Sequence, residues 1–150
     1  MKNLILLFFV SLIASCASIP NSENSPYTTY QSFTKSLEAK NFKKSVLFLS
    51  KPNRDRFEKM NEAENFDNFF PFFSSTNTVI SKELNHFQKI HNSQACLTII
   101  GFDKKNEPTS INLKLIYEKN SWKFSFVHIF YYKSKSEFPT HAACQNPPQE

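Results

Sequence analysis

Glycine is almost absent from this chain of 150 residues: Gly101 is the only one. Phosphate-cradling loops, dinucleotide fingerprints and the nucleophile elbow of hydrolases need several glycines at fixed offsets, so none of them can be built here. Most nucleotide-dependent functions are excluded with them. Cysteine is scarce too, with Cys16, Cys96 and Cys144 alone. No Cys/His spacing resembles a zinc site. His86 and His91 stand five apart, which on a strand puts them on opposite faces, and His141 lies near the C-terminus, so no metal set is expected. The apolar run Leu4 to Ile13 is the longest uncharged one near the start, and it falls short of the about 20 residues that span a bilayer.

That run has instead the length of a signal-peptide core, with Lys2 as its positive flank. Small residues follow, then Cys16. The stretch Leu12-Ile13-Ala14-Ser15-Cys16 resembles the lipobox of bacterial lipoproteins: an aliphatic residue three before the cysteine, two small residues, then the cysteine. The resemblance implies that residues 1–15 are removed, that the Cys16 thiol is diacylated, and that its new amino terminus takes a further chain such as palmitate. Small side chains let a peptidase reach the bond, and a thiolate is the natural nucleophile for a glyceride. Each buried CH₂ adds about 0.8 kcal/mol, so two or three chains anchor stably to membrane lipid. An ordinary secretory signal, cut beside Ala17, is the alternative. By family analogy, Ala17 and Ser18 in place of an acidic residue direct the protein to the outer membrane, facing the periplasm.

Removing residues 1–15 takes away one charge, Lys2, and leaves 17 basic against 13 acidic residues. The lysines are interspersed with Glu and Asp, as on a solvated surface, so no nucleic-acid partner is expected. With Cys16 given to lipid, Cys96 and Cys144 remain in an oxidising space where disulfides persist. Two readings stand: a bridge that pins the C-terminal tail to the sheet, or a buried Cys96 in a strand with Cys144 free.

Residues 16–25 read as a polar tether. Ser25-Pro26 then makes a helix start, and Tyr27, Tyr30, Phe33 and Leu37 follow at helical spacing as far as Asn41. A second helix is predicted over Phe42 to Leu49, with Phe42, Val46 and Leu49 inward. A third follows Ser50-Lys51-Pro52 and runs through Phe57 and Met60. Phe66, Phe69, Phe70 and Phe73 repeat the helical spacing, with Pro71 ending or kinking that helix near Phe70. From Thr78 the period changes to two. Strands are predicted over Thr78 to Ile90, Gln94 to Phe102, Thr109 to Glu118 and Ser121 to Tyr132, the last two joined by Lys119-Asn120. A regular register across that hairpin pairs Tyr117 with Trp122, Leu115 with Phe124, Leu113 with Phe126 and Ile111 with His128. All would share one aromatic face, with Val127 and Ile129 on the other.

Helices first and antiparallel strands after define an α+β class, the helices packed on one face of a curved sheet of about four strands. The order of a long aromatic-spaced helix, a helical pair ending near Phe-Leu-Ser, and a meander closing in Leu113-Lys-Leu-Ile-Tyr-Glu-Lys-Asn-Ser-Trp122-Lys-Phe124 resembles the NTF2-like superfamily. Within it the chain is similar to small lipoproteins of unassigned function. The resemblance covers residues 26–132, leaves 133–150 as a tail, and implies a cone whose mouth lies between helices and sheet. Relatives often carry Asp-Gly or Asn-Gly at the turn where this chain has Lys119-Asn120.

In such a cone enzymes place Asp or His for proton transfer, and His128 is the titratable residue on the aromatic face. It is a weak catalytic candidate, a core or rim histidine being the plainer reading, and no carboxylate is placed beside it; Asp67 and Asp103 are expected in loops. Phe69, Phe70, Phe72 and Phe73, with Tyr117, Trp122, Phe124, Phe126 and His128, form the candidate pocket or partner surface. No cofactor is implied. The function expected is a non-enzymatic, membrane-anchored envelope lipoprotein that binds a protein partner or a small apolar ligand. The alternative is an NTF2-like isomerase, dehydratase or hydrolase with His128 as general base.

Overall fold

The first helix starts where the sequence places it. Ser25 is extended, and its hydroxyl accepts the Thr28 N–H at 3.1 Å while Thr28 Oγ1 accepts the Ser25 N–H at 2.9 Å. This reciprocal cap satisfies two free donors, and Pro26 at the first helical position has none to satisfy. The computed structural model describes residues 24–59 and 80–144. Helix α1 spans Pro26–Glu38 and buries Tyr30, Phe33 and Leu37. Asn41 does not end it. Lys40 turns the chain at φ 53°, and the Asn41 side chain accepts the Lys44 N–H at 3.0 Å, opening helix α2 (Phe42–Val46). Helix α2 stops before the predicted Leu49 because the next backbone has other partners. Leu49 bridges Phe124 in parallel, Ser50 N–H donates to the Phe124 carbonyl at 2.9 Å, and Phe124 N–H donates to the Phe48 carbonyl at 2.8 Å. Leu49 is inward as expected, whereas Phe42 is 39% exposed. Helix α3 (Lys51–Glu58) follows and buries Phe57.

Four strands form one antiparallel sheet in the order of the chain: β1 (Lys82–His91), β2 (Gln94–Phe102), β3 (Pro108–Glu118) and β4 (Ser121–Tyr131). The α+β class is therefore as the sequence predicts. Strand β1 begins at Lys82 rather than at Thr78, which lies outside the described residues. The Lys119-Asn120 turn works without glycine because both residues take left-handed backbone, φ 48° and 62°. Two consecutive positive-φ residues match the twist of the flanking strands, and Asn tolerates that region better than most. The β2–β3 turn is held by Asp103, whose Oδ1 accepts the N–H groups of Lys105 and Glu107, each at 2.8 Å.

The one glycine also has a structural reason. Gly101 pairs with Glu83 beside an irregularity in β1 between Glu83 and Asn85. A Cβ at Gly101 would meet the Lys82 carbonyl oxygen and would sit 2.7 Å from Ile80 Cγ2. Close backbone approach, rather than a special φ, excludes a side chain.

The core lies between α1 and one face of the sheet. Leu97 and Ile99 of β2, Ile111, Leu113 and Leu115 of β3, and Trp122 and Phe124 of β4 pack with Phe33, Leu37 and Leu49, all nearly inaccessible. Each such side chain contributes about 1.5–3 kcal/mol on leaving water. The other face is crossed by the C-terminal segment, which includes the short 3₁₀ turn Lys135–Glu137. Cys96 and Cys144 are joined there with their Cα atoms 5.2 Å apart, so the bridged reading of the two cysteines holds.

Candidate functional site

Of the four pairs predicted across the β3–β4 hairpin, the register holds for the first two. Tyr117 faces Trp122 and Leu115 faces Phe124, but the ladder then slips between Lys114 and Leu115. Beyond it Phe126 pairs with Lys114, Val127 with Leu113, His128 with Asn112 and Ile129 with Ile111. Ser125 is the extra residue. A bulge of one residue exchanges the two faces of everything beyond it. The bulge is stabilised by hydrogen bonds: Ser125 Oγ donates to the Lys114 carbonyl at 3.1 Å, and the Asn53 amide donates to the Ser125 carbonyl at 3.0 Å.

The expected single aromatic face is thereby corrected into two. Tyr117, Trp122 and Phe124 stay on the helix side. The Tyr117 and Trp122 rings meet edge to face at 5.0 Å, and Phe124 lies 5.0 Å from Phe33 in the core. Trp122 Nε1–H donates to the Asn24 carbonyl at 3.2 Å, so the last residues of the expected tether are already fixed to the hairpin. Phe126 and His128 turn to the outer face with Phe130, while Val127 and Ile129 join the core periphery instead. His128 is exposed and stacks flat on Phe130, centroids 4.2 Å apart, with Phe126 edge-on at 6.4 Å. Among the described residues no carboxylate bonds it. Asp103, one of the two considered, is engaged in its own turn; Asp67 lies outside the described residues. Cys16 and Phe69, Phe70, Phe72 and Phe73 also lie outside them.

A histidine with a carboxylate does exist, on the far edge of the sheet. Glu83 Oε1 accepts the Tyr27 hydroxyl at 2.8 Å and the Nδ1–H of His86 at 3.2 Å. The Tyr27 and His86 rings lie parallel with centroids 3.5 Å apart. Burial first, and then the Glu83 carboxylate, pushes the Tyr27 hydroxyl above its ordinary value, so it stays a donor at neutral pH. Holding Nδ1 on a carboxylate leaves Nε2 to meet a ligand or proton. Sequence reasoning weighed His86 only as a metal ligand and missed Tyr27 and Glu83. Tyr27 and Glu83 stand 56 positions apart on a helix and a strand, and no local pattern links them.

His86 also lines an open cleft of about 590 Å³ between β1 and the returning tail, with Phe87, Lys89, Thr140 and His141. Among the described residues no three His, Cys, Asp or Glu side chains gather as a metal set, and no helix is long and apolar enough to cross a membrane.

No protein-family model and no curated protein matches this chain.

Proposed function

We propose that this chain is a lipid-anchored envelope lipoprotein whose NTF2-like domain binds a protein partner rather than catalysing a reaction. One observation carries the binding reading: the Ser125 bulge turns Phe126, His128 and Phe130 outward as a stacked aromatic strip on the edge strand. Aromatic side chains of this kind supply large contact area at low entropic cost in protein interfaces. The lipobox-like Leu12 to Cys16 supports the anchor, and a Cys96–Cys144 bridge suits the oxidising compartment it implies. Three helices followed by an antiparallel meander agree with the element order of the NTF2-like superfamily.

The test places a photocrosslinking residue at position 128 of the lipidated protein in its membrane. A single protein adduct, lost when Phe126 and Phe130 become Ser, is expected. A bound apolar molecule with no protein adduct defeats the partner reading in favour of a ligand. For the anchor, Cys16→Ser should abolish acyl labelling and membrane retention; unchanged retention and labelling would end that reading.

A second reading, a proton-transfer enzyme on a small apolar substrate, draws on the Tyr27–Glu83–His86 cluster. Here the general base would be His86, which has an orienting carboxylate, and not His128. Turnover of isomerase, dehydratase or hydrolase substrates that is lost in His86→Ala and kept in His128→Ala would replace the partner reading.

A further inference from the structure

We propose that the Cys96–Cys144 bridge is a thiol-exchange site for small anionic thiols, in which the Cys144 sulfur is attacked and Cys96 leaves as the thiolate. Three independent features of the fold point this way.

The two sulfurs differ in access. Cys96 is 6% exposed near the start of β2, while Cys144 is exposed in the tail. An incoming thiolate must approach along the S–S axis, and only the Cys144 end faces solvent. The departing sulfur is also prepared for charge. Cys96 stands between Lys89 of β1 and Lys114 of β3, its direct cross-strand partners on the same face. Opposed side chains on one face lie within about 5.5 Å at Cβ, so two lysine side chains start beside Cys96 and bring positive charge to its neighbourhood. The rows on either side hold His91, Gln94 and Ile116, and Phe87, Thr98 and Asn112, with no carboxylate among them. Neighbouring cations lower a thiol's pKa, and a lower leaving-group pKa speeds exchange. Finally, an open cleft is lined by Phe87, by Lys89, the cross-strand partner of Cys96, and by Thr140 to Ala142, two residues short of Cys144, and gives a small thiol room to enter.

The reaction balances with two thiols as the named reductant. The first thiolate bonds to Cys144 Sγ, the S–S bond breaks, and Cys96 holds the electron pair as thiolate. A second thiolate then attacks the external sulfur of the mixed disulfide and releases the Cys144 thiolate. Two external thiols are oxidised to one disulfide, and the protein disulfide is reduced to two thiols. Among the described residues the tail then keeps weaker ties: Ala143 N–H to Thr98 Oγ1, Tyr132 N–H to the Pro108 carbonyl, the Ser110–Tyr132 hydroxyl pair, and the Phe138 ring against Phe102 and Tyr132. The bridge is thus a redox-sensitive clasp on the outer face of the sheet.

Glutathione, an anionic monothiol, is the probe. The full chain carrying Cys16→Ser, folded in mild detergent, is mixed with glutathione and trapped early with N-ethylmaleimide for peptide mass spectrometry. Glutathione should sit on Cys144 and the maleimide on Cys96, by about tenfold over the reverse arrangement. Lys89→Gln with Lys114→Gln should slow exchange by about three- to tenfold, with the difference shrinking at high salt. Equal or reversed labelling, a rate indifferent to both lysines, or a bridge that reacts only after unfolding would each overturn the proposal. The labelling ratio needs no lysine substitution, so a misfolded double variant does not leave the question open.

Discussion

The inner face of the sheet and its outer face share four strands but exclude water by different means. On the inner face Leu97, Ile99, Ile111, Leu113 and Leu115 meet Phe33, Leu37 and Phe124, and the seal at its centre is apolar. On the outer face the centre is polar yet buried. Thr98, Ser110 and Asn112 are all but inaccessible, and Thr98 Oγ1 donates to Asn112 Oδ1 at 2.7 Å while accepting the Ala143 N–H at 2.9 Å. Each hydroxyl has a partner, so burial is not penalised there. Among the described residues no buried side-chain nitrogen or oxygen is left without one. Hydrocarbon contact suffices to keep the inner layer shut. The outer layer is a segment with no long regular structure of its own, and it is held by directed bonds and one covalent link.

The largest test of that contrast is Phe124→Ala. It should cost about 3–5 kcal/mol, measured by urea unfolding, because it opens a cavity at the centre of the apolar seal. A loss below 1 kcal/mol would mean the inner face is not the main support. Replacing Cys96 and Cys144 together by Ser should cost about 2–4 kcal/mol, since the bridge closes a separation of 48 residues. The urea slope should rise only if the freed tail adds exposed surface to the unfolded state.

A smaller effect is expected at high pH. Tyr30 is buried, and burial followed by the Glu83 charge raises its hydroxyl well above the usual tyrosine value. The unfolded chain loses that proton near pH 10, whereas the folded chain keeps it to higher pH. The contribution is therefore complete below pH 10 and is lost as pH rises beyond it, at up to about 1.4 kcal/mol per pH unit. Tyr30→Phe should flatten this limb of the stability profile; an unchanged slope would show that Tyr30 ionises freely in the fold. The smallest change belongs to Phe126→Ala on the outer strip. It should cost under about 1 kcal/mol, the counterpart that makes the Phe124 result interpretable.

How far the sequence foretold this fold depends on the range of the interaction. Ser25-Pro26, the boundaries of β2 and β3, and the Lys119-Asn120 turn follow from neighbouring residues, and each stands within a residue of its expected place. The slip at Ser125 does not follow from them. Phe126-Val127-His128-Ile129-Phe130 is apolar at both parities, so period-two reasoning accepts either face. The bulge is bonded instead by Asn53, 72 positions away, whose amide donates to the Ser125 carbonyl. Helical spacing as far as Asn41 predicts an ending there, yet Asn41 caps the start of α2, because a capping side chain suits either role until its partner is known. The Tyr27–Glu83–His86 cluster and the burial of Thr98 under Ala143 were hidden for the same reason: both need the chain to return upon itself.

The strand order carries a consequence for the time course of folding. Each strand pairs with its immediate neighbour in sequence, so the sheet can close hairpin by hairpin with little loop entropy lost at each step. The two cysteines are held at bonding distance by the finished sheet, since Cys96 lies in the paired β2 and Cys144 follows β4 on the returning chain. Oxidation is then a final latching event that reports a finished sheet, and a pulse of alkylating agent during refolding should find both thiols open until the meander is complete.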